Sequence, residues 1–548
     1  MKLSKPFVLV TLVALFCVSL MRAQDDRQHQ HHHDASENLG QVNFPISCNP
    51  VAQKQFNRAA ALLHSFWYEE AEKAFTEVTV VDPGCAMAYW GIAMSNYHPL
   101  WAPPNPSELK RGWAAVEKAK ATSAITERER DYIVAIETFY KDSEELDHRA
   151  RAIAYEKVME QVYRRYPRDR EAAIFYALSL LGTALPTDKS YANQKQAAEI
   201  LNRALPAEPQ HPGVAHYIIH SFDYPELAEL ALPAARSYAK IAPSSPHALH
   251  MPTHIFTRLG LWQESIQSNI ASAAAAKTHV ARTHPGAASF DQLHAMDYLE
   301  YAYLQGAQDQ KSKALFDELS RISKLDLENF AAAYAFASIP ARYALERRKW
   351  AQAAGLTLHP SAFPWSQFPY AEAIIYFARA VGAARSGDSA AARKDVEKLA
   401  AIQNALAQAK DAYWADQVEI LRRGAAAWHG LAEGNRDKAL AMMRAAAELE
   451  GSTEKHPVTP GAILPAREML GDLLLEIDQP VKALSEFEAS LRNTPNRFNG
   501  LAGAAQAAAA SGDRKKAARY YAQLVKLCER ADGARPELQK AKAFLVKR

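Results

Sequence analysis

The chain is 548 residues long, 49% hydrophobic and 23% charged, with 64 basic against 61 acidic residues. That length and apolar content can bury a large core, as several domains or as one repetitive array, which excludes disorder for most of the chain. A net charge of +3 lacks the basic excess of a nucleic-acid footprint, so DNA and RNA are excluded as expected partners.

Residues 1–23 place Lys2 and Lys5 before an apolar run from Phe7 to Met21, with Ala23 ahead of a cleavage point, the pattern of a secretory signal peptide. The expected location is therefore outside the cytoplasm, periplasmic or secreted, and membrane association is expected only if this segment stays uncleaved. Residues 24–47 read as a polar, disordered linker in which His29, His31, His32 and His33 can capture metal ions loosely. Cys17 leaves with the signal. Cys48 and Cys85 flank the first helical hairpin and meet an oxidising compartment after export, where a disulfide competes with two separate buried thiols. Cys528 lies on an apolar stripe and is expected in the core.

From residue 48 onward the apolar spacing is helical, alternation of period two is absent, and Pro and Gly gather between the helical stretches, so the fold class is all-α. Small and large residues then recur. Ala59, Leu62, Ala71, Phe75 and Pro83 form one set; Ala197, Leu201, Ala204 and Pro209 another; Ala231, Ala235 and Pro243 a third; Ala439 and Met443 a fourth. The clearest copy has Leu470, Gly471, Leu474, Ala483, Phe487 and Pro495, and the last includes Ala517 and Tyr521. This 34-residue spacing resembles the tetratricopeptide repeat (TPR). The resemblance implies a right-handed superhelical solenoid of about eleven or twelve stacked helix pairs. Three blocks are expected: N-terminal repeats at 48–211, central repeats with a histidine-rich groove at 212–330, and C-terminal repeats at 331–548.

The central block carries the chemistry. Taking Pro212 and Pro246 as first positions of consecutive repeats puts His216 and His250 fifth and His220 and His254 ninth, so two histidine pairs occupy equivalent places on neighbouring helices. At about 100° per residue, positions five and nine lie about 40° apart and away from the packing stripe. In proteins of this resemblance, the second, fifth, ninth, twelfth and thirteenth positions line a concave ligand groove. The resemblance thus puts Asp223 in the groove at a twelfth position, His64 and His98 at thirteenth positions, and Trp90 at a fifth. His294 and Tyr298 share one helical face a repeat later. Pro252 lacks the N–H a regular helix would use, so His250 is expected in a turn before a late-starting helix, as a poor fourth ligand.

Imidazoles four apart on a helix can share one metal ion, and two such pairs suit Zn, Cu, Ni or Fe. Nine of the nineteen histidines fall between His211 and His294, a density that also fits a small polar ligand or a hydrogen-bonded structural network. No serine elbow, phosphate loop, dinucleotide fingerprint or His-Glu-x-x-His run is present. The leading expectation is a binding scaffold for a protein, peptide or small polar ligand in the groove, with His216, His220, His250, His254 and His294 on a transition metal. The alternatives are a peptide scaffold without metal, and a metal-dependent enzyme with Asp223, Glu226 or Tyr298 carrying protons.

Overall fold

The computed structural model describes residues 37–100, 103–122 and 125–546. The signal at 1–23, Cys17 and the histidines at 29–33 lie outside the described residues. One compact unit runs from Leu39 to the C-terminus. Among the described residues the regular structure is helical, apart from one isolated bridge between Ala288 and Leu325.

The helices pair in sequence order. Pro50–His64 packs on Tyr68–Val81, Ala86–Ser95 on Pro106–Ala121, Glu127–Tyr140 on His148–Arg165, and Arg170–Thr183 on Ala192–Ala204. Pro212–Phe222 then packs on Leu232–Ile241, and Pro246–His250 with Pro252–Arg258 on Trp262–Thr283. Six further pairs follow, from Phe290–Gln305 with Asp309–Leu319 to Phe498–Ala510 with Arg514–Leu527, and Pro536–Val546 closes the array. Small residues allow the close approach. Ala71, Ala231 and Ala483 are fully buried, and the Phe487 ring fills the space over Gly471 and Gly503, where a Cβ would lie 2.8 Å and 2.3 Å from ring carbons. This is the packing that the repeat spacing demands, and the chain is a TPR-like α-solenoid.

One expectation changes and another, the disulfide, is met. Residues 39–47, assigned to the polar linker, lie against the first repeats, because Leu39 and Phe44 are buried and the Gln41 N–H donates to Gln210 O at 2.9 Å. Phe44 packs edge-on against Phe56 and Trp90 and tilted against Tyr132, so its ring closes the end of the N-terminal core. Cys48 and Cys85 are joined in a disulfide with their Cα atoms 5.2 Å apart, while Cys528 is a buried free thiol.

The array also doubles back on itself. One apolar core runs from Leu39 to Phe256 and a second from Trp262 to Ala541. Trp262 Nε1 donates to Asn496 O at 2.7 Å, and the left-handed turn at Gly260 approaches Pro495 so closely that a Cβ there would lie 2.4 Å from its carbonyl oxygen. Buried Arg497 donates to Tyr301 and to the carboxylates of Glu346 and Glu468. The C-terminal repeats therefore cover the central ones instead of leaving an open groove.

Candidate metal centre

The central histidines stand where three first helices begin alike. Pro212, Pro246 and Phe290 are first residues of their helices, so His216, His250 and His294 each lie four residues in, and His220, His254 and Tyr298 a turn beyond. His294 is 44 residues from His250, ten more than the repeat, because the intervening helix Trp262–Thr283 is 22 residues long.

The rings do not meet at one point. They form two groups whose ligand atoms each lie within 4.8 Å of one another: His216, His220 and His247, and His250, His254 and His294. In the first, His216 Nε2 lies 3.1 Å from His220 Nε2 and 3.2 Å from His247 Nε2. In the second, His250 Nε2 lies 3.2 Å from His254 Nε2, and the His294 ring centroid is 4.2 Å from that of His250. Across the seam, the His220 and His254 rings are 6.0 Å apart and the His247 and His250 rings 6.2 Å. All six residues are buried.

His247 was not among the sequence candidates, although it stands second in the repeat, a position that also faces inward. The equivalent residue of the preceding repeat is Gly213, where a Cβ would lie 2.5 Å from His64 Nδ1, so the two repeats fill this place with different side chains. The interruption expected at Pro252 occurs, but it does not displace His250. The helix breaks for one residue at Met251, whose dihedrals remain right-handed helical, and resumes at Pro252, so His250 and His254 stay on one face.

The far side of each ring fixes its tautomer. His216 Nδ1 donates to His64 O at 2.7 Å, His250 Nδ1 to Asn269 Oδ1 at 2.8 Å, and His254 Nδ1 to Asp223 Oδ2 at 3.0 Å. Asn269 presents its oxygen because its Nδ2 donates to Ser265 O. With Nδ1–H so committed, a neutral ring has only a lone pair at Nε2, the arrangement of metal-binding histidines held by an outer hydrogen bond. His250 and His254 thus aim two bare lone pairs at each other across 3.2 Å, and His294 Nε2 is buried without a hydrogen-bond partner among the described residues.

Protonation does not relieve this. Burial pushes the His216 ring down to about 3 and holds His220, His247, His250 and His294 well below the usual imidazole range, with neighbouring histidines adding to the shift. His254 is also lowered by burial, against the pull of Asp223, and Lys455 and Arg258 lower it further. Donors of a tetrahedral ion bound at about 2.0–2.1 Å lie about 3.3 Å apart, close to the separations here.

Asp223, the twelfth-position carboxylate, is spanned by His254, Arg258 Nε at 2.9 Å and Lys455 Nζ at 2.8 Å. Lys455 and Arg258 hold it far below the usual carboxylate range against the effect of burial, so it carries charge and no proton. Tyr298 keeps its proton and donates to Thr459 O at 3.0 Å, with its oxygen 3.3 Å from His254 Nδ1 and 3.4 Å from its Nε2. Glu226 is exposed. Lys455 and Thr459 belong to the connection ahead of the helix Ala466–Glu476, which meets Asp223 and Tyr298 beside the second triad and is pinned by Glu454 to Lys189 and Tyr191. This segment occupies the place of the expected groove.

Of the remaining candidates, Trp90 and His98 lie apart, and His64 meets the first triad through its carbonyl. Trp90 is buried among Phe44, Tyr132 and Phe175, since the fifth position of the second helix pair faces an aromatic core once residues 39–47 close over it. His98 sits in a left-handed turn after the helix Ala86–Ser95, half-buried against Tyr68. His64 is fully buried in a third group, its Nε2 donating to Glu171 Oε2 at 3.0 Å while its Nδ1 accepts from Tyr217. His211 donates to the other oxygen of Glu171, also at 3.0 Å.

No family model matches this sequence. No curated protein matches it either. Among solved structures, yeast Tom70 aligns at 12% identity over 91% of this chain and 96% of its own, with a TM-score of 0.32. Human IFIT1, as a dimer with m7Gppp-AAAA, aligns at 10% over 81% and 90%, TM-score 0.36, and the P58(IPK) TPR domain at 12% over 91% and 99%, TM-score 0.19. None of the described helices is long and apolar enough to cross a membrane.

Proposed function

We propose that this chain is an exported TPR-like scaffold built around a pair of transition-metal ions, one held by His216, His220 and His247 and one by His250, His254 and His294. The observation that carries this reading is the contact between His250 and His254. Both Nδ1 atoms donate outward, so no neutral tautomer places a proton between Nε2 atoms 3.2 Å apart, and a cation there satisfies both. Three imidazoles per ion suit Zn, Cu, Ni or Fe and leave a coordination position open. The disulfide supports an oxidising compartment, periplasmic or extracellular. The interaction surface of such a scaffold lies elsewhere than at the histidines, because all six are buried and Lys455 and Thr459 already occupy Asp223 and Tyr298 beside them.

The test is metal analysis of full-length protein in which His29, His31, His32 and His33 are replaced by Ser, purified without chelating resin and after titration with each candidate ion, Cu(I) under nitrogen included. Two equivalents per chain, reduced by His254→Ala, are expected. Protein that stays folded yet takes up no metal would remove the reading and leave a structural histidine network.

A further inference from the structure

The charge around the six rings narrows the choice of metal. All six are neutral donors, and no carboxylate is among them. The nearest anion, Asp223, is matched by Lys455 and Arg258, and Glu454 by Lys189 and by Arg258 at 3.8 Å. Two divalent ions would therefore place four uncompensated positive charges in a site sealed from water, whereas two univalent ions place two. The desolvation cost of an ion grows with the square of its charge, so this pocket discriminates against a dication pair. Of the metals that imidazole binds well, copper is the one with a stable univalent state, and three nitrogen donors suffice for it.

A second consequence follows from the seam. Each triad leaves its ion an open position, and rings from opposite triads come within 6.0 Å and 6.2 Å. The rings are buried and the Lys455–Thr459 segment packs beside them, so a small uncharged ligand between the triads costs the least desolvation. Dioxygen is such a molecule. When two Cu(I) ions each give one electron to O2, they become Cu(II) and the dioxygen becomes a two-electron-reduced dianion bound between them. No atom leaves, no proton is needed, and the site carries two positive charges before and after. A buried pocket without a titratable counter-ion of its own is suited to that change, because the electrons move while the net charge does not.

Building on the two-metal reading, we infer that the two histidine triads take a pair of Cu(I) ions and bind dioxygen between them. Full-length protein carrying the four tail substitutions is titrated with Cu(I) under nitrogen and then exposed to oxygen, with an oxygen electrode, visible absorption and electron paramagnetic resonance as readouts. The expected result is two copper ions per chain, one O2 consumed per two copper, a new intense charge-transfer band, and no resonance signal, because two bridged Cu(II) centres couple. Two bound copper ions that take up no oxygen, or that oxidise to two independent resonance signals, would overturn this inference and leave the two-metal reading standing. Fewer than two copper ions bound, with no other metal reaching two, would overturn both.

Discussion

The protein buries two kinds of histidine cluster, and the contrast between them separates a packing device from a site. In the His64–Glu171–His211 group a carboxylate stands between two rings at 3.0 Å from each, and each ring turns an N–H toward it. His64 even uses its second nitrogen, accepting from Tyr217. In the His250–His254–His294 group, equally buried, His250 and His254 have spent their protons on the outer shell and face each other with lone pairs. Both groups have metal-binding spacing. What distinguishes them is where the protons are, not how many ligands are near.

The largest effect expected from this contrast is on pH stability. Burial depresses all six central histidines, so the folded metal-free protein binds fewer protons than the unfolded chain below the unfolded value of about 6.5. Stability is then fully present above pH 6.5 and is lost as pH falls toward 3, at about 1.4 kcal/mol per pH unit for each ring that stays neutral. Metal-free protein should unfold cooperatively in this window, taking up several protons, as potentiometric unfolding would record. A flat profile between pH 7 and 4 would mean the rings are open to water.

The second effect falls on the other cluster. Glu171→Gln removes the buried anion that two histidines share, and the expected loss is about 3–5 kcal/mol in denaturant unfolding, with the metal count unchanged. A loss of metal together with stability would show that the two clusters, which touch where His216 meets the His64 carbonyl, act as one. Smaller again is Asp223→Asn, which weakens the outer hydrogen bond of His254: metal affinity should fall about 10–100-fold, with folded helical content preserved. An unchanged affinity would show that Asp223 serves Lys455 and Arg258 alone.

The comparison also shows what a sequence carries. The 34-residue recurrence predicts the helix pairs, and places Ala71, Ala231 and Ala483 at buried contacts, because small residues at fixed spacing leave little freedom in how hairpins stack. The inward direction of His216, His220, His250 and His254 follows from the same arithmetic. The division into two triads does not. It depends on His247, whose counterpart Gly213 makes room for His64, and on ten residues added before His294, and both depend on three-dimensional neighbours. Nor does the period alone show that the array folds back, for Lys455 reaches Asp223 across 232 positions. Phe44 was hidden for a related reason: a single aromatic residue in a polar stretch gains its meaning from Phe56, Trp90 and Tyr132.

The most direct measurement is anomalous diffraction from metal-loaded crystals of the full chain, recorded on both sides of the absorption edge. The account predicts two peaks, one among the Nε2 atoms of His216, His220 and His247 and one among those of His250, His254 and His294, with none between His64, Glu171 and His211. A map without peaks at the triads, or with its strongest peak at Glu171, would contradict it.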